Sequence, residues 1–329
     1  MSDTAKNILI YCFITSLTPT LGFAQGIADE RIEVRNFRNE DAKDAAIERA
    51  GSAHRHSHAH SHGVETENLF GFTLGSSTEP LGTTELAIET VARVGKRQSS
   101  YSAVTQKIEF SRAFSDRLTS SVSLLGDYHR VVANPDFSND VENVKRGYIF
   151  NGVGAELRYN LINRNINSFG LTFHIEPNIA LSDEATGLRG RKYGSENKII
   201  FDFEAIEKTL FLAFNITQEI EVVKEKNSLA WERASVVGAS MAMAYQLKSN
   251  LFIGAEARYL RSYQGLNLRA LNGDAWYAGP TISIQNDKHQ WISASYNILV
   301  GGKEKGSSSN LDLNNFERHQ LRIKAGLSF

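Results

Sequence analysis

The chain ends in His319-Gln320-Leu321-Arg322-Ile323-Lys324-Ala325-Gly326-Leu327-Ser328-Phe329, and its side chains change character residue by residue. Leu321, Ile323, Ala325, Leu327 and Phe329 share one face of an extended strand, while Arg318, Gln320, Arg322 and Lys324 share the other. One face apolar and the other charged is the pattern of a strand standing between lipid and a polar interior. This ending sets the expected fold class: an all-β, antiparallel transmembrane β-barrel.

The same period of two recurs upstream. Twelve candidate strands run over roughly 84–94, 101–114, 117–130, 147–160, 168–181, 197–206, 209–222, 229–246, 251–262, 274–285, 290–300 and 316–329. Each is long enough to cross a bilayer when tilted. Alternation is clearest where Phe169, Leu171, Phe173 and Ile175 oppose Gly170, Thr172, His174 and Glu176. It is equally clear where Leu210, Leu212, Phe214 and Ile216 oppose Asn215, Thr217, Glu219 and Glu221. Connections after even strands are brief, as at Ser115 and Asp116 or Glu207 and Lys208. The alternate ones, such as 131–146, 182–196, 263–273 and 301–315, are longer. Short periplasmic turns and long outer loops are the rule for bacterial barrels with an even strand count. A soluble β-sandwich or lipocalin-like barrel also alternates, but its strands run nearer five or six residues. Pro177 and Pro280 fall inside candidate strands, where a residue without an N–H predicts a bulge or a strand end.

Composition fits this reading. A formal net charge of -1 removes the argument for a nucleic-acid partner, which calls for an excess of Lys and Arg. Mean hydropathy is only -0.30, as expected when every second wall residue faces a polar lumen. The single cysteine, Cys12, lies in the apolar stretch 8–23, which follows Lys6 and precedes Gly22-Phe23-Ala24. Residues 1–24 therefore read as a signal peptide cleaved after Ala24, leaving no thiol in the mature chain. Residues 25–66 are polar and dense in charge, and predict a disordered periplasmic arm. Within it His54, His56, His58, His60 and His62 alternate with small or charged residues. In an extended chain these imidazoles share a face, a donor set suited to weakly bound zinc, copper or nickel. No cofactor is required.

A resemblance adds to this pattern. Glu67, Asn68, Leu69, Phe70, Gly71, Phe72 and Gly75, followed by Glu85, Gly95, Tyr101, Glu109 and the Ser115-Asp116-Arg117 turn, resemble an uncharacterised family of proteobacterial outer-membrane barrels. The likeness is best over residues 67–130. It implies a barrel over 67–329 and localisation in the outer membrane of a Gram-negative bacterium, and carries no catalytic residue. The terminal Phe329 likewise resembles the signal by which the barrel assembly machinery receives a last strand. Outer-membrane lipids and that machinery are the partners expected, with small solutes or divalent cations in the lumen and no nucleic acid.

Parity assigns to the lumen Glu85, Glu89, Glu109, Asp127, Glu156, Arg158, Glu176, Asp202, Glu204, Glu219, Glu221, Glu232, Glu256, Arg258, Arg318, Arg322 and Lys324. One Arg or Lys at the midplane on the lipid face would cost roughly 2–4 kcal/mol, so such charge must face inward. An excess of inward carboxylates favours a narrow, cation-preferring channel or transport accessory, with the His tract gathering divalent cations at its mouth. The alternative is a plugged structural or adhesive barrel whose Glu and Arg pair with each other; a lipid-processing enzyme is a weaker third. No Gly-x-Ser-x-Gly elbow or His-Glu-x-x-His helix is present, and His129, close to Asp127, reads as a rim residue bonded to a loop rather than a catalytic base. Tyr159, Trp231, Tyr245, Tyr259, Trp276 and Trp291 are the expected interfacial girdle.

Overall fold

The computed structural model describes residues 64–134, 142–226, 228–286 and 289–329. The signal peptide, most of the arm and the His tract from His54 to His62 lie outside the described residues. Twelve strands follow: β1 (Thr84–Val94), β2 (Ser99–Ser115), β3 (Leu118–Ala133), β4 (Val144–Ile162), β5 (Phe169–Ser182) and β6 (Arg189–Ile206), then β7 (Leu210–Glu225), β8 (Glu232–Lys248), β9 (Leu251–Gln264), β10 (Ala270–Gln285), β11 (Gln290–Gly301) and β12 (His319–Ser328). Each pairs antiparallel with its neighbours in sequence, and β1 pairs with β12 to close the barrel. The closing register sets Ala87 opposite Gly326 and Glu89 opposite Lys324. Closure removes the unpaired edges that an open sheet would expose.

The alternation is physical as well as sequential. Phe110, Val122, Leu124, Phe173, Phe214 and Ile323 stand exposed on the outer face. Their partners in parity, such as Glu109, Ser121, Ser123, Thr172, Asn215 and Lys324, are buried within. A belt of this kind would cost about 25 cal/mol per Å² of apolar surface in water, and lipid is the solvent that removes the cost.

Both prolines lie within strands, and the ladder opens on one side of each. Pro177 pairs with Ser195 of β6, yet the β4–β5 pairing skips from Gly154↔Asn178 to Leu157↔Ile175. Pro280 pairs with Ala255 of β9, while β10–β11 skips from Ala278↔Ile298 to Thr281↔Ser295. The missing N–H thus falls at an interruption that leaves the flanking register intact. Strand β6 begins at Arg189, earlier than the expected 197, and β12 spans His319–Ser328 within the expected 316–329.

The main departure from the sequence expectation is at the start. The wall begins at Thr84; residues 64–79 lie inside the barrel, and Pro80, Leu81 and Gly82 are exposed between the two. Val64, Glu65 and Thr66, assigned from sequence to a disordered arm, belong to this segment: Arg164 donates to the Val64 carbonyl and Gln285 to that of Glu65. The wall meets their polar groups, so order replaces the disorder that composition suggested.

Candidate functional site

The lumen at the short-turn end is occupied by residues 64–79. The segment enters near the β2–β3 turn, where Thr78 donates to the Asp116 carbonyl and Leu81 N–H to the Asp116 carboxylate. It folds back on itself, with Leu69 N–H bonded to Thr66 C=O and Thr66 N–H to the Ser77 hydroxyl. Its apex, Gly71 to Thr73, meets the middle of the wall.

A chain folded this way in a barrel has no ladder to satisfy its main chain, and buried N–H and C=O groups must find partners. The wall side chains supply them. Phe72 and Thr73 N–H donate to Glu256 at 3.1 and 3.0 Å. Leu74 and Asn215 exchange two bonds, N–H to Oδ1 at 2.8 Å and Nδ2 to C=O at 2.9 Å, the pattern a neighbouring strand would give. Ser76 donates its N–H and hydroxyl to Asp202, which also accepts from the Thr66 hydroxyl. Arg158 donates to the carbonyls of Gly75 and Ser77, Asn160 to that of Ser76, and Arg322 to that of Gly71 at 2.7 Å. Lys324 reaches Asn68, and the Arg258 guanidinium lies 3.8 Å over the Phe72 ring.

One buried apolar cluster anchors the segment. Leu69 and Phe70 join Phe211, Ala213, Ala242, Ala244 and Phe252 in a buried cluster against β7, β8 and β9. Two glycines permit the close approach: a Cβ on Gly71 would lie 2.3 Å from Ser295 Cβ, and one on Gly75 would lie 2.1 Å from Thr66 O.

The outer mouth is narrowed by connections that turn inward. Between β5 and β6, the Glu184 carbonyl accepts from the Tyr101 hydroxyl and lies 3.1 Å from His129 Nε2. Before β12, Leu311, Leu313 and Phe316 pack on Ala275, Tyr277 and Leu299, and Glu317 lies 3.5 Å from Lys96.

The lumenal residues expected from sequence fall mostly into ion pairs or bonds to the inner segment. Glu89 binds Arg322, Asp127 binds Arg146, Glu221 binds Lys192, Glu204 lies 3.4 Å from Arg164, and Glu109 lies 2.7 Å from Lys107. Glu156 and Glu176 surround His174, and Glu85 accepts from Trp291 and Ser328. Glu219 faces inward opposite Glu196, and Arg318 sits at the outer rim beside Gly95. Glu232 has the right parity but stands exposed at the outer end of β8, beyond the enclosed lumen. Trp291, expected in the girdle, points inward: it is 6% exposed and its Nε1 donates to Glu85 at 2.7 Å. Trp231, Trp276, Tyr159 and Tyr245 do face outward, and the Tyr259 and Trp276 rings lie 4.6 Å apart, tilted by 31°. Near His129, the Ser182 hydroxyl lies 2.6 Å from Asp127 Oδ2 and 2.8 Å from Asn151 Oδ1, to one of which it donates, and accepts from Arg146.

The inner segment is what sequence reasoning missed. Its residues from 67 on carry the resemblance to a family and lie within the barrel expected over 67–329 but before the first expected strand, and the Gly71 and Gly75 spacing is a local sign of close backbone approach.

A closed antiparallel barrel of this strand count, belted outside with apolar residues and polar within, has the architecture of a transmembrane β-barrel. The chain belongs to DUF6662, a family of unknown function, whose model matches residues 62–329 and so takes in the inner segment as well as the wall. No curated protein matches the sequence. Among solved structures, the COG4313 outer membrane channel from Pseudomonas putida F1 is similar with a TM-score of 0.50 at 11% identity, over 77% of this chain and 98% of that one. The β domain of the Bordetella autotransporter BrkA gives 0.49 at 11% identity, over 75% and 100%. The translocator domain of autotransporter NalP from Neisseria meningitidis gives 0.47 at 13%, over 87% and 97%. At these identities the likeness is one of fold.

Proposed function

We propose that the protein is a channel of the Gram-negative outer membrane, held closed by residues 64–79 and passing small solutes, cations preferentially, when that segment withdraws. The observation that carries this reading is the chemistry of the contact. A permanent core would be largely apolar, whereas here the wall holds the segment mainly through Arg158, Asp202, Asn215, Glu256 and Arg322. On withdrawal these groups exchange bonds to the segment for bonds to water, a trade with a net of about 0.5–1.5 kcal/mol for a neutral pair and about 1.5–3 kcal/mol where one partner is charged. The apolar part of the contact centres on Leu69 and Phe70, about 1.5–3 kcal/mol for each fully buried side chain. A lumen lined with charge is stable wet. The solved barrel of similar fold from Pseudomonas putida is itself an outer membrane channel, which is in keeping with this reading.

Phe329 would present the last strand to the assembly machinery, and the His tract would bind divalent cations weakly. No catalytic role is assigned. The experiment is permeation into liposomes with the segment free or tethered. In a Cys12→Ser background, Ser76→Cys with Asp202→Cys places two thiols where a hydroxyl and a carboxylate now touch. Solute uptake is expected to be lower in the oxidised pair and restored by reductant. Equal uptake in both states would contradict the proposal.

A further inference from the structure

An acidic patch of the lumen lies one layer outward of Arg158, on β4, β5 and β6, and among the described residues no hydrogen bond joins it to the inner segment. Glu176 stands directly opposite Glu196 in the β5–β6 register, and Glu196 directly opposite Glu219 in β6–β7. Like charges directly opposite on neighbouring strands destabilise a sheet unless a cation lies among them. Glu156, Glu176 and His174 each bring one ligand atom into a group whose members lie within 4.8 Å of one another.

Lysine compensates only part of this charge. Lys107 lies 2.9 Å from Glu176 Oε1 and 3.8 Å from Glu156 Oε2, and Lys198 pairs with Glu196. The other oxygen of each carboxylate turns to the imidazole: Glu156 Oε1 is 3.5 Å from His174 Nδ1 and Glu176 Oε2 is 3.6 Å from Nε2. Glu196 Oε1 is 3.8 Å from the same Nε2. His174 is 2% exposed, yet neither ring nitrogen has a hydrogen-bond partner. A buried imidazole aimed at carboxylates, with its neighbours just beyond bonding reach, leaves room for something between them.

We infer that Glu156, His174 and Glu176 form a site for one divalent first-row transition-metal ion, with Glu196 beside it as a further donor. Imidazole with carboxylate selects zinc, manganese or iron over calcium or magnesium, which prefer all-oxygen shells. One ring nitrogen ligates, and the other keeps its proton and faces a carboxylate, as ligating histidines usually do. Glu176 and Glu196 retain partial exposure, 20% and 28% for their side chains, so an ion can arrive from the lumen. The site is separate from the His tract and does not depend on whether the barrel conducts.

The test uses the full chain with His54, His56, His58, His60 and His62 all replaced by Ala, so that the tract contributes no binding. The refolded barrel is loaded with zinc, desalted and assayed for metal, with heat-modifiable electrophoretic mobility as the check on folding. One zinc ion per folded barrel is expected, lost in His174→Gln while the mobility shift persists. Should His174→Gln fail to fold, X-ray absorption at the zinc edge of the His174 barrel decides, with one nitrogen and two or more oxygen ligands expected. No retained zinc, retention unchanged in folded His174→Gln, or a shell without nitrogen would overturn the inference.

Discussion

Asp202 on β6 accepts from both the N–H and the hydroxyl of Ser76, residues 126 positions apart that meet only because the chain folds back into its own barrel. Asp202 also receives the Thr66 hydroxyl and lies 3.7 Å from Arg164, so one carboxylate gathers both limbs of the inner segment. Asp202→Ala leaves these donors unpaired at roughly 1–3 kcal/mol for each buried group. The wall does not need them. Residues 64–79 should therefore become sensitive to limited proteolysis while the barrel keeps its heat-modifiable mobility; loss of both together would place Asp202 in the stability of the wall itself.

Gly71 tests the fit of the apex. An added Cβ would meet Ser295 Cβ at 2.3 Å and Glu256 Oε1 at 2.4 Å. Overpacking of this kind costs about 1–3 kcal/mol. Gly71→Val should raise the open probability in bilayer recordings, and a conductance identical to the parent would show that the apex is not seated as described.

Trp291 and Trp276 should separate sharply. Trp291 on β11 crosses Gly326 of β12 and bonds Glu85 of β1, so it spans the seam that closes the barrel. Trp291→Ala should cost about 3–5 kcal/mol, as other buried aromatic truncations do. Trp276, 50% exposed on the outer face, should cost far less. The temperature at which each variant loses its compact electrophoretic form measures the difference, and equal shifts would contradict the inward placement of Trp291.

Docking of the inner segment should weaken with rising pH. Burial first, then the carboxylates of Glu85 and Glu67, push Glu79 from 4.5 up to about 8. The docked state therefore keeps the proton over a range in which the released carboxyl ionises. Docking is strongest below about 4.5, is lost progressively as pH rises through that window, and is weakest above about 8. Hydrogen exchange of residues 64–79, corrected for intrinsic rates, should show protection falling between about pH 4.5 and about pH 8, with the fall reduced in Glu79→Gln. A pH-independent protection would remove Glu79 from the account.

Much of the wall was legible because a lipid face and a polar face leave a period of two in every strand that spans the bilayer. The bounds of β1 were readable to the residue, since Leu86 and Ile88 alternate with Glu85 and Glu89. The start of β6 was not: Arg191 and Tyr193 on the exposed face are polar or amphipathic rather than aliphatic, and Lys192 inside is paired with Glu221, so no apolar residue marks the lipid side there. Trp291 shares parity with Ser293, Ser295 and Asn297, so its inward position was written in the strand, and the general preference of tryptophan for interfaces obscured it. The inner segment was illegible for a deeper reason. Its partners, from Arg158 to Arg322, are far away in sequence, and its main chain is met by side chains rather than a ladder, which leaves no period to read. The Glu156, His174 and Glu176 group likewise depends on a β4–β5 register that sequence alone does not fix.

The central claim is that this barrel is closed by its own residues 64–79. It is tested most directly by single-channel recording in planar bilayers of the full chain beside a variant lacking those residues, both shown to be folded. The account predicts rare or no openings for the full chain, and steady, cation-selective conductance once the segment is removed. Equal conductance in the two, or silence in the folded variant, would contradict it.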